Sequence, residues 1–174
     1  MKKIINPWKG IDGYMCFACA PENPAGLHME FYEDGDDIVS LWKPTKYVQG
    51  WLNTLHGGIQ SVLVDELGAW IVVRKLQTVG VTSRLEIKYI KSISTNEPQI
   101  TVRGRITEKK RNAIFIETEI YNSNHELCTQ AKMVYFVTSP ERAAKDFFLS
   151  GCAVEEKGEL DIPLPPSKGE EGSK

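Results

Sequence analysis

The stretch Leu55-His56-Gly57-Gly58-Ile59-Gln60-Ser61-Val62-Leu63-Val64-Asp65-Glu66 constrains this chain more than any other. Two adjacent glycines open a long apolar run, and two carboxylates lie inside it. Residues 59–76 exceed the length of most strands and hold no turn signal, so they read as a helix despite Trp70-Ile71-Val72-Val73. The run is apolar on nearly all sides, which makes it a central buried helix. The first amides of such a helix lack intrahelical partners and attract negative charge, and glycines leave that backbone open to a ligand. Asp65 sits among Val, Leu, Ala and Trp, where an ionised group is costly unless something pairs or uses it. An anion-stabilising helix start and an out-of-place carboxylate together supply what a hydrolytic centre needs.

Most of the remaining chain alternates with period two. Leu27, Met29 and Phe31 alternate with His28, Glu30 and Tyr32; Glu33-Asp34-Gly35-Asp36-Asp37 reads as a turn, and residues 38–43 return as a strand. Residues 44–54 form a loop carrying Gly50, Trp51 and Leu52. Beyond Gly80, Leu85, Ile87 and Tyr89 oppose Arg84, Glu86 and Lys88. Ile100, Val102 and Ile106 oppose Thr101, Arg103 and Arg105, and Ile114, Ile116 and Ile120 oppose Glu117 and Glu119. A last strand runs through Leu127, Ala131, Met133, Tyr135 and Val137, and residues 108–112 and 122–125 are hairpin turns. One apolar and one polar face mean antiparallel strands that cover a core on a single side. The expected class is α+β: a curved antiparallel sheet wrapped around one long central helix. Residues 1–25 read as an irregular N-terminal segment and 26–138 as the domain. In 139–174, a short helix over 141–149 precedes a tail that reads as disordered.

At 174 residues the chain fits one domain with a proper core. Its net charge of −2 lacks the basic excess that nucleic-acid or membrane-surface binding requires. The N-terminal Met-Lys-Lys-Ile-Ile-Asn-Pro-Trp has no signal-peptide apolar core, and the longest apolar stretch carries Asp65 and Glu66, so a cytoplasmic protein is expected. Of the four cysteines, Cys16 and Cys19 form a CxxC pair, while Cys128 and Cys152 stand alone. A structural zinc site wants a second close pair and a disulfide framework wants a secretory context. The thiols therefore read as small buried or loop residues, with metal binding at the CxxC pair the lesser alternative.

The β–β–α–β–β–β–β order, with His56-Gly57-Gly58 opening the helix and Asp65 eight residues past the first glycine, resembles the hotdog-fold thioesterases, in particular their PaaI-type acyl-CoA thioesterase branch. Three more stretches are similar to that branch: residues 16–27 (CFACAPENPAGL), residues 81–89 (VTSRLEIKY), and Arg103-Gly104-Arg105. The similarity spans about residues 14–138. It implies a hotdog fold and hydrolysis of an acyl-CoA thioester, with coenzyme A entering as part of the substrate and no further cofactor.

By the same resemblance, the Gly57 amide polarises the thioester carbonyl and Asp65 activates water or attacks directly. Eight helical residues rise about 12 Å, whereas an attacking group must lie within roughly 3–3.5 Å of its carbonyl. One chain cannot bring both to one substrate. A second copy with its helix antiparallel would, so the site predicts a homodimer, with a dimer of dimers left open. Gly58 is read as a second amide donor and His56 as a residue of the helix start, structural or catalytic. Ser61, one turn before Asp65, is placed to orient it. Glu66, about 100° away around the helix, is read as a supporting residue. Thr82 and Ser83 match family positions near the nucleophilic water, and Asn53 is the nearest counterpart of an upstream family Asn. Trp51 and Trp70 line an acyl tunnel or pack in the core. Arg103 and Arg105, with Lys109, Lys110 and Arg111, hold coenzyme A phosphates or form a solvated hairpin. The alternative function is acyl-CoA binding without turnover.

Overall fold

A computed structural model of the chain describes residues 1–166. Seven strands form one antiparallel sheet in the order β1-β2-β3-β5-β6-β7-β4. They are β1 (Lys2–Lys3), β2 (Tyr32–Asp34), β3 (Asp37–Trp42), β4 (Gly80–Tyr89), β5 (Ile100–Lys110), β6 (Ala113–Tyr121) and β7 (Leu127–Val137). The helix α1 (Gly57–Leu76) packs against β3, β4, β5, β6 and β7, and α2 (Pro140–Phe147) follows the last strand. This is the hotdog arrangement, and its core is the α1–sheet interface. Leu63, Val64, Leu67, Ile71 and Val72 of α1 are fully buried, together with Ile38, Ile100, Val102 and Ile120 of the sheet. Among the described residues no helix is long and apolar enough to cross a membrane.

Gly68 sets how closely α1 meets β7. A Cβ there would lie 3.0 Å from Met133 Sδ and 3.0 Å from the Tyr135 ring, contacts that force a neighbour to give way. The helix ends where Gln77 takes a left-handed conformation, its N–H closing on Val73 O.

The structure departs from the period-two reading in four places. Residues 27–31 alternate in burial as expected, but His28 is left-handed (φ +52°), which breaks the strand and leaves β2 only three residues long. Leu27 and Met29 bond instead to Phe17 O and Ala18 O, each at 2.8 Å. The N-terminal segment also contributes β1, at one edge of the sheet. The turns read over 33–37 and 108–112 are both tighter than expected, only Gly35 and Asp36 in one and Arg111 and Asn112 in the other, with Arg111 left-handed at φ +54°. Finally, Glu119 and Arg103 face away from α1 yet are buried: they are cross-strand neighbours, Tyr121 and Gln130 bond to Glu119, and Arg103 bonds to Pro165 O. The stretch leading to Pro165 lies along β1, with Glu155 N bonded to Lys3 O (2.8 Å) and Leu160 N to Met1 O (3.0 Å). The rest of the tail read as disordered, 167–174, lies outside the described residues.

Candidate active site

The start of α1 is built by His56. Its backbone is extended (φ −62°, ψ 134°), and its Nδ1 accepts from Gly58 N at 2.8 Å, the N-cap geometry. That bond makes Nδ1 an acceptor and leaves the ring proton on Nε2. It also occupies the Gly58 amide, which sequence reasoning placed beside Gly57 as a second donor. Ile59 N and Gln60 N both turn back to His56 O. The Gly57 amide is therefore the one at this helix start without an acceptor among the described residues. It opens on a concavity of about 370 Å³ lined by Gln49, Gly50, Trp51, Thr54, Leu55 and His56. Gly50 packs against the imidazole: a Cβ there would lie 3.2 Å from His56 Cδ2.

The Gly57 carbonyl is held as firmly as its amide is free. Tyr89 Oη donates to Gly57 O at 3.0 Å, and Ser61 Oγ, 3.0 Å from that phenol, reaches the same carbonyl at 3.1 Å. Ser61 thus fixes the peptide before Gly58, and among the described residues its hydroxyl makes no bond to the Asp65 carboxylate. Tyr89 reads in the sequence only as the last residue of an alternating strand, and nothing in the pattern marks it as part of the site.

Asp65 is half-buried on the side of α1 that faces β4 and β7. Thr82 Oγ1 donates to Asp65 Oδ1 at 2.7 Å. Tyr135 Oη lies 2.9 Å from the same oxygen and 2.6 Å from the Asp65 carbonyl, sharing its single proton between them. Burial first, and then the Asp65 charge, push the Tyr135 phenol up, so it stays a proton donor. The other carboxylate oxygen, Oδ2, has no hydrogen bond among the described residues. Thr82 reaches Asp65 at a β-bulge: the β4–β7 register shifts between Thr82 and Arg84, leaving Ser83 unpaired and exposed at the bulge. Tyr135, a core residue by pattern, is the second site residue that sequence reasoning missed.

Other candidate residues fall elsewhere. Asn53 is exposed and left-handed (φ +57°), bonded through its backbone to Gln49 Oε1 and Thr95 N. The amide side chain that lines the concavity is that of Gln49. Trp51 and Leu52 are exposed (83% and 82%), so Trp51 is not a core residue, whereas Trp70 is buried and stacks on Phe31. Arg103 is no solvated phosphate ligand: it is 5% exposed, and Asp37 binds it through Nε at 2.8 Å and through Nη2. Arg105 reaches the same Asp37 carboxylate at 3.1 Å. Lys109, Lys110 and Arg111 are exposed at the hairpin, Lys110 paired with Glu108 at 2.9 Å.

A helix-start amide aimed at open space and a carboxylate with one oxygen fixed and one free are the parts needed to stabilise an oxyanion and to take a proton from water. Within one chain the rise of α1 separates them by about 12 Å.

Residues 52–129 match the model of the Thioesterase superfamily. A candidate esterase of Saccharolobus solfataricus is 33% identical over 92 residues, which cover 50% of this chain and 59% of that protein's length. A hypothetical thioesterase of Streptococcus pneumoniae, solved with coenzyme A, superposes with a TM-score of 0.59 at 23% identity, over 64% of this chain and 86% of the other. A protein of Streptococcus mutans solved with acetyl-CoA superposes with a TM-score of 0.59 at 17% identity, over 64% and 89%. At these identities the two structures establish the hotdog fold.

Proposed function

We propose that this chain, which carries the thioesterase-superfamily pattern over residues 52–129, is a PaaI-type enzyme that hydrolyses an acyl-CoA thioester to the free acid and coenzyme A. The observation that carries this reading is the pairing of Asp65 with Thr82 and Tyr135, which leaves Oδ2 as the open base. The coenzyme A and acetyl-CoA complexes of the two streptococcal proteins supply the substrate class.

The thioester carbonyl oxygen sits on the Gly57 amide of one subunit. Charge growing on it is met by a donor already in place, a contribution worth about 10²–10³ in rate for one such amide. Asp65 of the partner subunit takes a proton from water, which adds to the carbonyl carbon; direct attack by the same carboxylate is the variant of this step. Collapse of the tetrahedral adduct breaks the C–S bond, and the proton taken by Asp65 passes to the departing sulfur to release the thiol. His56 acts by holding the helix start, and Thr82 and Tyr135 act by holding Asp65. These groups and water complete both steps.

The split between subunits has a structural support. Among the described residues of the single chain, β4 pairs only with β7, and its outer edge is unpaired over ten residues. Val81 (64%) and Tyr89 (53%) are exposed along it, an arrangement that soluble proteins cover. Antiparallel pairing of two such edges continues the sheet, lays the two α1 helices side by side, and brings Asp65 of the partner subunit toward Gly57. The exposed Trp51 and Leu52 then face a second chain or the acyl group.

A thiol-release assay over short, long and aryl acyl-CoA esters tests the reading. Turnover of at least one class, falling about 10²–10⁴-fold in Asp65→Ala, is expected. Tight ligand binding with no turnover of any ester would make the protein a non-catalytic acyl-CoA binder instead. Equal rates in the variant would remove Asp65 from the chemistry.

A further inference from the structure

Glu66, on a different face of α1 from Asp65, points toward the N-terminal loop, where it meets Cys16. There the backbone makes one helical turn, closed by Ala20 N on Cys16 O at 3.2 Å, which brings Cys16 and Cys19 to the same spot. Cys16 Sγ, Cys19 Sγ and a Glu66 carboxylate oxygen all lie within 4.8 Å of one another. We propose that these three groups bind a divalent cation of the zinc class, as two thiolates and a carboxylate with a fourth position open to a water or an external donor.

The donor set and its spacing fit that ion. Zinc takes sulfur at about 2.3 Å and carboxylate oxygen at about 2.0 Å, which at a tetrahedral angle sets the two donors about 3.5 Å apart. Cys16 Sγ and Glu66 Oε1 are 3.5 Å apart. Soft sulfur ligands in this arrangement select zinc or a similar d-block ion over magnesium or calcium.

The surroundings have the character of an outer ligand shell. Trp70 Nε1 donates to Glu66 Oε1 at 3.0 Å, and Tyr14 Oη sits 2.8 Å from Cys19 Sγ. The phenol is too close to that sulfur to be a fellow ligand and is placed to donate to it, as outer-shell groups do. Three groups that become anionic meet here, and among the described residues no Lys or Arg pairs with them. A partly buried donor set of two sulfurs and a carboxylate, with no cationic side chain beside it, suits a bound cation. Cys19 and Trp70 also line a cavity of about 440 Å³. The sequence hides this site because its third ligand lies 47 positions beyond Cys19 and belongs to a helix.

Cobalt(II) is the probe. The reduced 174-residue chain, with all four thiols confirmed free, is titrated with Co(II), and the bound metal is counted after gel filtration. One ion per chain is expected, with thiolate-to-cobalt charge-transfer absorption and tetrahedral visible bands, both displaced by zinc. Cys16→Ser and Cys19→Ser should abolish the charge-transfer signal, while Cys128→Ser keeps it. Tyr14→Phe, which leaves every ligand in place, should weaken binding by about 10–100-fold. Zinc should also raise the melting temperature of the wild type and not that of Glu66→Gln, a readout that stands even where a cysteine variant folds poorly. Failure of the reduced, folded wild type to retain metal would overturn the proposal, as would an undiminished signal in Cys16→Ser. Isolation of a Cys16–Cys19 disulfide whose reduction restores free thiols but no metal uptake would overturn it in favour of a redox pair. None of these measurements depends on thioester hydrolysis.

Discussion

Thr82 Oγ1 and Asp65 Oδ1 are 2.7 Å apart, and that bond joins the exposed edge strand of the sheet to its buried central helix. It exists because β4 is bulged at Ser83. With Tyr135 on the same oxygen, it holds the carboxylate through Oδ1 and leaves Oδ2 without a bond among the described residues. Thr82→Val removes the hydroxyl and keeps the shape. A hydrogen bond to a charged group is worth about 1.5–3 kcal/mol, so kcat should fall about 10–100-fold. Because Thr82 is exposed and water replaces part of the bond, stability should fall by no more than about 1 kcal/mol, a small drop in the chemical denaturation midpoint. Steady-state thiol release beside urea unfolding checks both halves of the statement, and an unchanged kcat would contradict it.

The helix cap separates structure from chemistry at His56. Loss of the Nδ1 bond to Gly58 N in His56→Ala should cost about 1 kcal/mol of stability and lower the rate by misplacing the Gly57 amide. His56→Asn restores an acceptor at the cap and should recover most of both. Recovery of stability without recovery of rate would give the imidazole a direct part in the reaction.

Gly68 carries a prediction far from either reacting atom. A methyl group there meets Met133 and the Tyr135 ring at 3.0 Å. Gly68→Ala should destabilise by about 1–3 kcal/mol, the usual cost of overpacking, and should shift Tyr135 from Asp65. The expected signature in kinetics is a drop in kcat with KM nearly constant.

The legibility of this chain divides along physical lines. Helix α1 and strands β3 to β7 are visible in the sequence because period and length report which face is buried. Gly57 and Asp65 are visible because each breaks the local pattern, a glycine pair at a helix start and a carboxylate in an apolar run. Tyr89 and Tyr135 are not visible, since as strand residues they match the packing pattern and their hydroxyl contacts come only from tertiary approach. Arg103 reads as a solvated strand residue because the pattern cannot show that Asp37 and the segment at Pro165 cover that face. Glu66 reads as support for Asp65, and its distance in sequence from Cys16 conceals their meeting.

Acid stability should report the contact between α1 and β2. Glu33 accepts from Arg74 at 2.8 Å and from Lys75 at 2.7 Å. Burial raises the Glu33 pKa, but the bonds from Lys75 and Arg74 outweigh it and leave the carboxyl below its ordinary value. A carboxylate depressed in the folded state contributes stability above its unfolded pKa and loses it as pH falls through the folded value. Wild type should therefore exceed Glu33→Gln by about 1 kcal/mol near neutrality. The gap should close below the normal carboxylate range, as urea unfolding across pH would record.

The central claim is that amide and acid come from different subunits. Proline suits the first helical position and removes the N–H, and the extended His56 backbone is the conformation that precedes proline. Gly57→Pro thus lacks the amide and Asp65→Ala lacks the acid, and each alone should be nearly inactive. Co-expressed in equal amounts, they should regain about a quarter of wild-type activity, because half of the dimers are mixed and each mixed dimer holds one intact site. Activity that stays at the level of the separate variants, while mixed dimers are shown to form, would contradict the shared site.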